Sequence, residues 1–202
     1  MTMKKKLMLV VMALSIAVLF SSCGKVPQTE IDSANAAIDS AKMAGADVYV
    51  AEDFAALQDS MRVITENVEA QKSKLFASYG KVKEQLAQVN EMAVAAQSKA
   101  DARKEEIKQE IESIQSEVTS LQAQNNELVT QAPKGKEGTA ALEAIKSDIN
   151  LIDSSMGEVK NLEASGDLIS AQDKVKAAKE KAQSINSELN EVIAKYSKNK
   201  RK

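Results

Sequence analysis

The chain has 202 residues, 44% hydrophobic but only 3% aromatic, with no Trp, three Phe and three Tyr, so the large rings that usually fill a thick core are missing. Seven Gly, two Pro and 28% charged residues describe long helices with few turns. The formal net charge is −2, and the lack of His together with a single Cys excludes histidine acid–base chemistry, zinc clusters and an internal disulfide framework.

Lys4, Lys5 and Lys6 precede an apolar run from Leu7 to Phe20, shorter than the roughly 20 residues that a spanning helix needs. Residues 1–22 therefore read as a secretory signal peptide. The run leads into Phe20-Ser21-Ser22-Cys23-Gly24, which resembles a bacterial lipoprotein lipobox, with Phe20 where Leu is usual. The resemblance implies cleavage before Cys23, diacylation of its thiol and no cofactor beyond that covalent lipid. An ordinary signal peptide followed by an unpaired Cys, or an uncleaved anchor, are the alternatives. Two or three acyl chains anchor firmly, at roughly 0.8 kcal/mol per buried methylene. Gly24 and Lys25 stand where some such lipoproteins carry an inner-membrane retention Asp, so the resemblance favours the outer membrane. Loss of residues 1–22 removes three Lys and no acid, leaving 24 basic against 29 acidic residues and a net charge of about −5, which argues against nucleic acid as a partner.

Residues 23–29 form a lipidated tether. Thr29-Glu30-Ile31-Asp32 has capping-box spacing, and the stripe Ile31, Ala34, Ile38, Ala41, Gly45 and Val48 predicts a first helix with a narrow, Ala-lined face. Glu52 and Asp53 open a second, with Phe54, Leu57, Met61, Ile64, Val68, Gln71 and Leu75 on one face. Gly80 is a C-cap or hinge. No Gly or Pro interrupts 81–131, which predicts one spine helix of about fifty residues, roughly 75 Å long. Val82, Leu86, Val89, Ala93, Ala96 and Ala100 form its first stripe; Ile107, Ile111, Ile114, Val118, Leu121, Asn125 and Leu128 form its second. A stutter at Arg103, Ile107 and Ile111 implies a change of packing partner near residue 104, and the charge run from Lys99 to Lys108 reads as a solvated face.

Pro133 to Gly138 is loop-like. Thr139 then begins a fourth helix with Leu142, Ile145, Ile149, Ile152, Met156, Val159 and Leu162 inward, Gly166 ends it, and Asp167 caps a fifth. The fifth helix carries Leu168, Ala171, Val175, Ala178, Ala182, Ile185, Leu189, Val192 and Tyr196 on one face. The expected fold is all-α: an elongated, coiled-coil-like bundle of about five helices. Residues 30–104 form a first unit, 105–198 a second sharing the spine, and 199–202 a basic tail. The two units read as a degenerate repeat, with Phe54, Leu57, Met61, Ile64 and Val68 aligned on Leu142, Ile145, Ile149, Ile152 and Met156, and Gly80 on Gly166.

The pattern Ala34…Ile38…Ala41…Gly45-Ala46…Tyr49-Val50-Ala51…Phe54…Leu57 resembles a family of bacterial envelope lipoproteins of unknown function, whose Ala-rich helical repeat runs Ala-Gly-Ala…Tyr-Ala-Pro. The resemblance covers roughly residues 23–100. Ala51 replaces the Pro, no OmpA-like domain follows, and the family has no assigned chemistry.

No phosphate-binding loop, dinucleotide fingerprint, nucleophile elbow or HExxH motif occurs. The clustered acids Glu105, Glu106, Glu110 and Glu112 sit on an expected exposed rod, where nothing tunes them for proton transfer. No catalytic or metal residue is expected, and no enzyme activity. Asn125, at an interior heptad position, reads as a register-setting residue. Lys195, Lys198, Lys200, Arg201 and Lys202 either complement the last helix's C-terminus or bind the anionic cell wall. A lipid at one end and a basic end at the other resemble Braun-type murein lipoprotein in layout, without its terminal Tyr-Arg-Lys. The expected function is a non-enzymatic, lipid-anchored periplasmic helical scaffold or spacer of the cell envelope. Its partners are the membrane, through the lipid, with envelope proteins or peptidoglycan; a homo-oligomer is open. The alternative is a holdase or carrier gripping apolar clients between Ala-lined helices, which differs in exposing a sizeable apolar groove.

Overall fold

The computed structural model describes residues 24–133 and 136–199, and among these the protein is all-α. Six helices follow one another: α1 (Gln28–Met43), α2 (Ala46–Tyr49), α3 (Ala51–Lys72), α4 (Gly80–Gln131), α5 (Lys136–Ser165) and α6 (Leu168–Asn199). The spine helix is present as α4, 52 residues long. The chain divides into two compact units between Arg103 and Lys104, so α4 gives its first half to one unit and its second half to the other.

The sixth helix arises at Gly45, whose φ of 80° ends α1 and cuts off the single turn α2. Only Gly adopts this left-handed backbone at little cost. The break rotates Val48 out of the expected stripe, leaving it 59% exposed, while Ala46 is buried in its stead. The expected capping box is absent as well. Pro27 is the N-cap without a side-chain cap bond, its carbonyl accepts from the Ile31 amide at 3.0 Å, and Thr29 lies inside the helix.

In the first unit α1, α3 and the first half of α4 form a three-helix bundle. The ion pair Lys83–Glu30, 2.6 Å, and the Ser33–Asn90 hydrogen bond, 3.4 Å, show α1 running parallel to α4. Lys99–Asp53, 2.9 Å, shows α3 running antiparallel. Ala34, Ala41, Leu57, Leu86 and Ala100 are fully buried, and Val82, Val89, Ala93 and Ala96 join them in one core. Ala at these positions brings the helix backbones close together, so the core is thin but closed. The stripe of α3 ends early. The helix stops at Lys72, Leu75 stands 96% exposed, and Tyr79, 6% exposed, occupies the end of the core instead. Gly80 is neither C-cap nor left-handed hinge: it is the first residue of α4 and lacks a positive φ.

The second unit is also a three-helix bundle. Glu117–Lys179 at 2.6 Å places α6 parallel to α4, and Gln122–Asp153 at 2.8 Å places α5 antiparallel. Val118, Ile145, Ile149, Ile152, Ala182, Ile185 and Leu189 form its core. Toward the other end Ile107, Ile111, Val159, Ala171 and Val175 are fully buried. The α5–α6 turn is a Schellman motif. Gly166, φ 84°, donates to the Glu163 carbonyl at 3.1 Å, and the Asp167 amide donates to that of Leu162 at 3.0 Å. The Asp167 carboxylate then caps α6, accepting from the Ser170 amide at 3.2 Å. The Gly80–Gly166 correspondence of the expected repeat is thus not a structural one, since only Gly166 is left-handed.

Candidate functional site

Asn125 is fully buried on the face of α4 that meets α6. Its Nδ2 donates to the backbone carbonyl of Ala182 at 2.8 Å, and its Oδ1 accepts from Nδ2 of Asn186 at 2.9 Å. Nδ2 of Asn190 reaches back to the carbonyl and the Oδ1 of Asn186, at 2.8 and 2.9 Å. The result is a ladder from the core to the surface in which the Asn125 amide is satisfied on both atoms, as a buried amide must be. Asn186 and Asn190 escape the sequence reading, because they lie just off the α6 stripe. Their pairing depends on the offset of about sixty residues between parallel helices, which no local pattern reveals.

A second polar contact uses the same offset. Gln172, 7% exposed, donates from Nε2 to Glu110, and Lys176 lies 4.0 Å from the same carboxylate. With Glu117–Lys179, the parallel α4–α6 seam carries polar links at three levels. The ion pairs are exposed at the surface and worth about 0–1 kcal/mol each, whereas the Asn125 contact is fully desolvated and directional.

Two surface grooves accompany the bundles. One of about 680 Å³ lies between α5 and α6, with Ser154, Ser155, Glu158, Asp173, Lys174 and Lys181 among its walls and a Lys174–Glu158 ion pair across it. The other, of about 240 Å³, lies between α3 and α4 and includes Asp59, Ser60, Gln85 and Gln88. The larger groove mixes these polar side chains with Leu151, Ile152, Ala177 and Ala178, and the smaller sets its four polar residues beside Val63, Ile64, Val89 and Met92.

The titratable groups with shifted pKa are surface ion-pair members. A hydrogen bond from Lys83 holds the Glu30 carboxyl below its ordinary value, and hydrogen bonds to Asp59 and Glu66 raise the Arg62 guanidinium. Such shifts belong to helix-face pairing. Among the described residues no group of three or more Cys, Asp or Glu side chains is placed to hold a metal ion.

Of the sequence-designated residues, Cys23, Lys200, Arg201 and Lys202 lie outside the described residues. Lys195 and Lys198 are exposed on the last turns of α6, where Lys195 faces Glu191 at 3.4 Å. Val192 and Tyr196, expected on the buried stripe, are 39% and 51% exposed. The cause is the seam itself. At an offset of sixty-one residues, as between Asn125 and Asn186, Val192 falls opposite Gln131, where α4 ends, and Tyr196 falls beyond it. No helix among the described residues is long and apolar enough to cross a membrane. No protein-family model, curated protein or solved structure significantly matches the chain.

Proposed function

We propose that the protein is a non-enzymatic, lipid-anchored scaffold of the bacterial envelope, facing the periplasm from the outer membrane and held there by acyl chains on Cys23. The N-terminal residues support the address: a basic start, a short apolar run, and a Cys preceded by two Ser. The closed state of the Ala-lined core supports a scaffold over a carrier. Ala34, Ala41, Leu57, Leu86 and Ala100 are all at 0% exposure, so the Ala-lined helices of the first unit are closed on one another. The two surface grooves set charged or amide side chains beside their aliphatic ones, so neither is the wholly apolar slot that gripping an unfolded client calls for. The basic end of α6 adds a contact of low specificity with anionic wall polymer.

Crosslinking in intact envelopes followed by affinity isolation tests the reading. A scaffold yields a small, fixed set of partners that is unchanged when protein unfolding is induced in the envelope. A carrier yields a broad set that grows on such induction, and the purified protein suppresses aggregation of an unfolding client. That second pattern overturns the proposal.

A further inference from the structure

The seven residues 73–79 that join α3 to α4 present Leu75 and Phe76 side by side to solvent, 96% and 91% exposed. Two adjacent large apolar side chains left almost wholly in water, the most exposed large apolar groups among the described residues, call for an occupant. The place of this turn in the first unit indicates which. Glu30, in the first turn of α1, pairs with Lys83 at 2.6 Å, only three residues beyond the start of α4. Val26 packs against the same core. The chain therefore enters the unit at the end where Leu75 and Phe76 project. Val26 follows Cys23 by three residues, which span at most about 11 Å of extended chain.

The charge at this end is equally distinctive. Segments 24–29 and 70–83 hold Lys25, Lys72, Lys74, Lys81 and Lys83 and no acid, in a chain whose acids outnumber its bases beyond the signal peptide. Of the flanking acids Glu30, Glu69 and Glu84, the first two are held by Lys83 and Lys72. An apolar tip with Lys74 next to it in the chain and Lys25 and Lys81 at the same end of the unit, beside the point where acyl chains would attach, matches an anionic bilayer surface. The rings and aliphatic groups enter the headgroup boundary and the ammonium groups meet lipid phosphates.

We propose that the α3–α4 turn is a second membrane contact: Leu75 and Phe76 insert into the surface of an anionic phospholipid leaflet and fix the orientation of the first unit on it. The inference rests on the proposed lipid anchor for its geometry, but its test does not use the lipid. A chain of residues 24–202 retains every residue of both cores and lacks Cys23. Phe76→Trp in that chain supplies its sole Trp, and the probe is vesicles of phosphatidylglycerol with phosphatidylethanolamine.

The expected result is a blue shift of Trp emission on adding these vesicles, quenching by lipids brominated along the acyl chain, and a weaker effect with phosphatidylcholine alone. Leu75→Ser with Phe76→Ser, read by vesicle sedimentation, should weaken binding by about tenfold or more, since two large side chains no longer leave water. Helical circular dichroism checks that these exposed substitutions leave the fold intact. Emission unchanged at high lipid overturns the proposal. A shift that instead follows protein concentration without lipid also overturns it, in favour of contact with a second copy. Neither outcome touches lipidation of Cys23, which is read from acyl labelling of the full chain.

Discussion

Replacing Asn125 by Leu separates stability from register in the second unit. Leu at a fully buried site gains about 2–3 kcal/mol from leaving water. The change removes two hydrogen bonds, to the Ala182 carbonyl and from Asn186, each worth about 1 kcal/mol net. The groups left behind are not stranded. The Ala182 carbonyl retains its bond within α6, and Asn186 is half-buried and can turn to water. The sum is a stability change between about 0 and +1 kcal/mol. Leu189→Ala, in the same core, should by contrast cost about 2–5 kcal/mol.

The effect of Asn125→Leu should appear in alignment. The two-residue turn at Gly166 pins α5 to α6, but α4 joins this hairpin through residues 132–135, so the hairpin can slide along α4 by a heptad when only Leu, Ile and Val face each other. In the cysteine-free chain 24–202, Glu117→Cys with Lys179→Cys reports the native register. Glu110→Cys with Lys179→Cys reports a shift of seven residues. Disulfide trapping should give only the first product when Asn125 is kept and both products in the Asn125→Leu variant. A loss of several kcal/mol in chemical denaturation, with the native crosslink still exclusive, would refute the register argument and make the ladder a stability element.

Gly166→Ala should lower stability by about 1–2 kcal/mol, because φ is 84° and the new methyl would meet nothing within 4 Å; thermal melting checks it, and no loss would mean that the turn relaxes elsewhere. Leu86→Ala should cost about 2–5 kcal/mol, whereas Leu75→Ala should stay within about 0.5 kcal/mol, although the sequence places both on an apolar stripe. Deleting residues 197–202 should leave the melting transition unchanged, since Tyr196 is already half-exposed, and should weaken low-salt co-sedimentation with peptidoglycan sacculi; equal sedimentation would reduce the basic end to a helix terminus.

Helix interiors were legible in the sequence, and helix ends much less so. The stripe from Val82 to Ala100 is buried at every position, because 3.6-residue periodicity records which face meets a neighbour. Where the neighbour stops is not written in that pattern. Leu75, Val192 and Tyr196 continue the periodicity of their helices yet face solvent, as α3 ends at Lys72 and the partner of α6 ends at Gln131. Gly gave mixed guidance for a similar reason. Gly166 is readable as a left-handed stop because a capping Asp follows it, while Gly45 reads as a stripe residue where the first helix ends, around Gly45 to Val50, and its left-handed backbone also sets off the single turn α2. Asn125 stood out as a polar residue among Ile, Val and Leu. Its partners Asn186 and Asn190 are invisible without the parallel α4–α6 pairing, which is a property of the fold.

The claim that acyl chains on Cys23 hold this scaffold in the envelope meets its most direct test in metabolic labelling with a clickable fatty acid, followed by membrane fractionation. The account predicts a labelled, membrane-bound wild-type protein, and a Cys23→Ser variant that is unlabelled and released in soluble form. A Cys23→Ser variant that stays in the membrane fraction and keeps its label would contradict it.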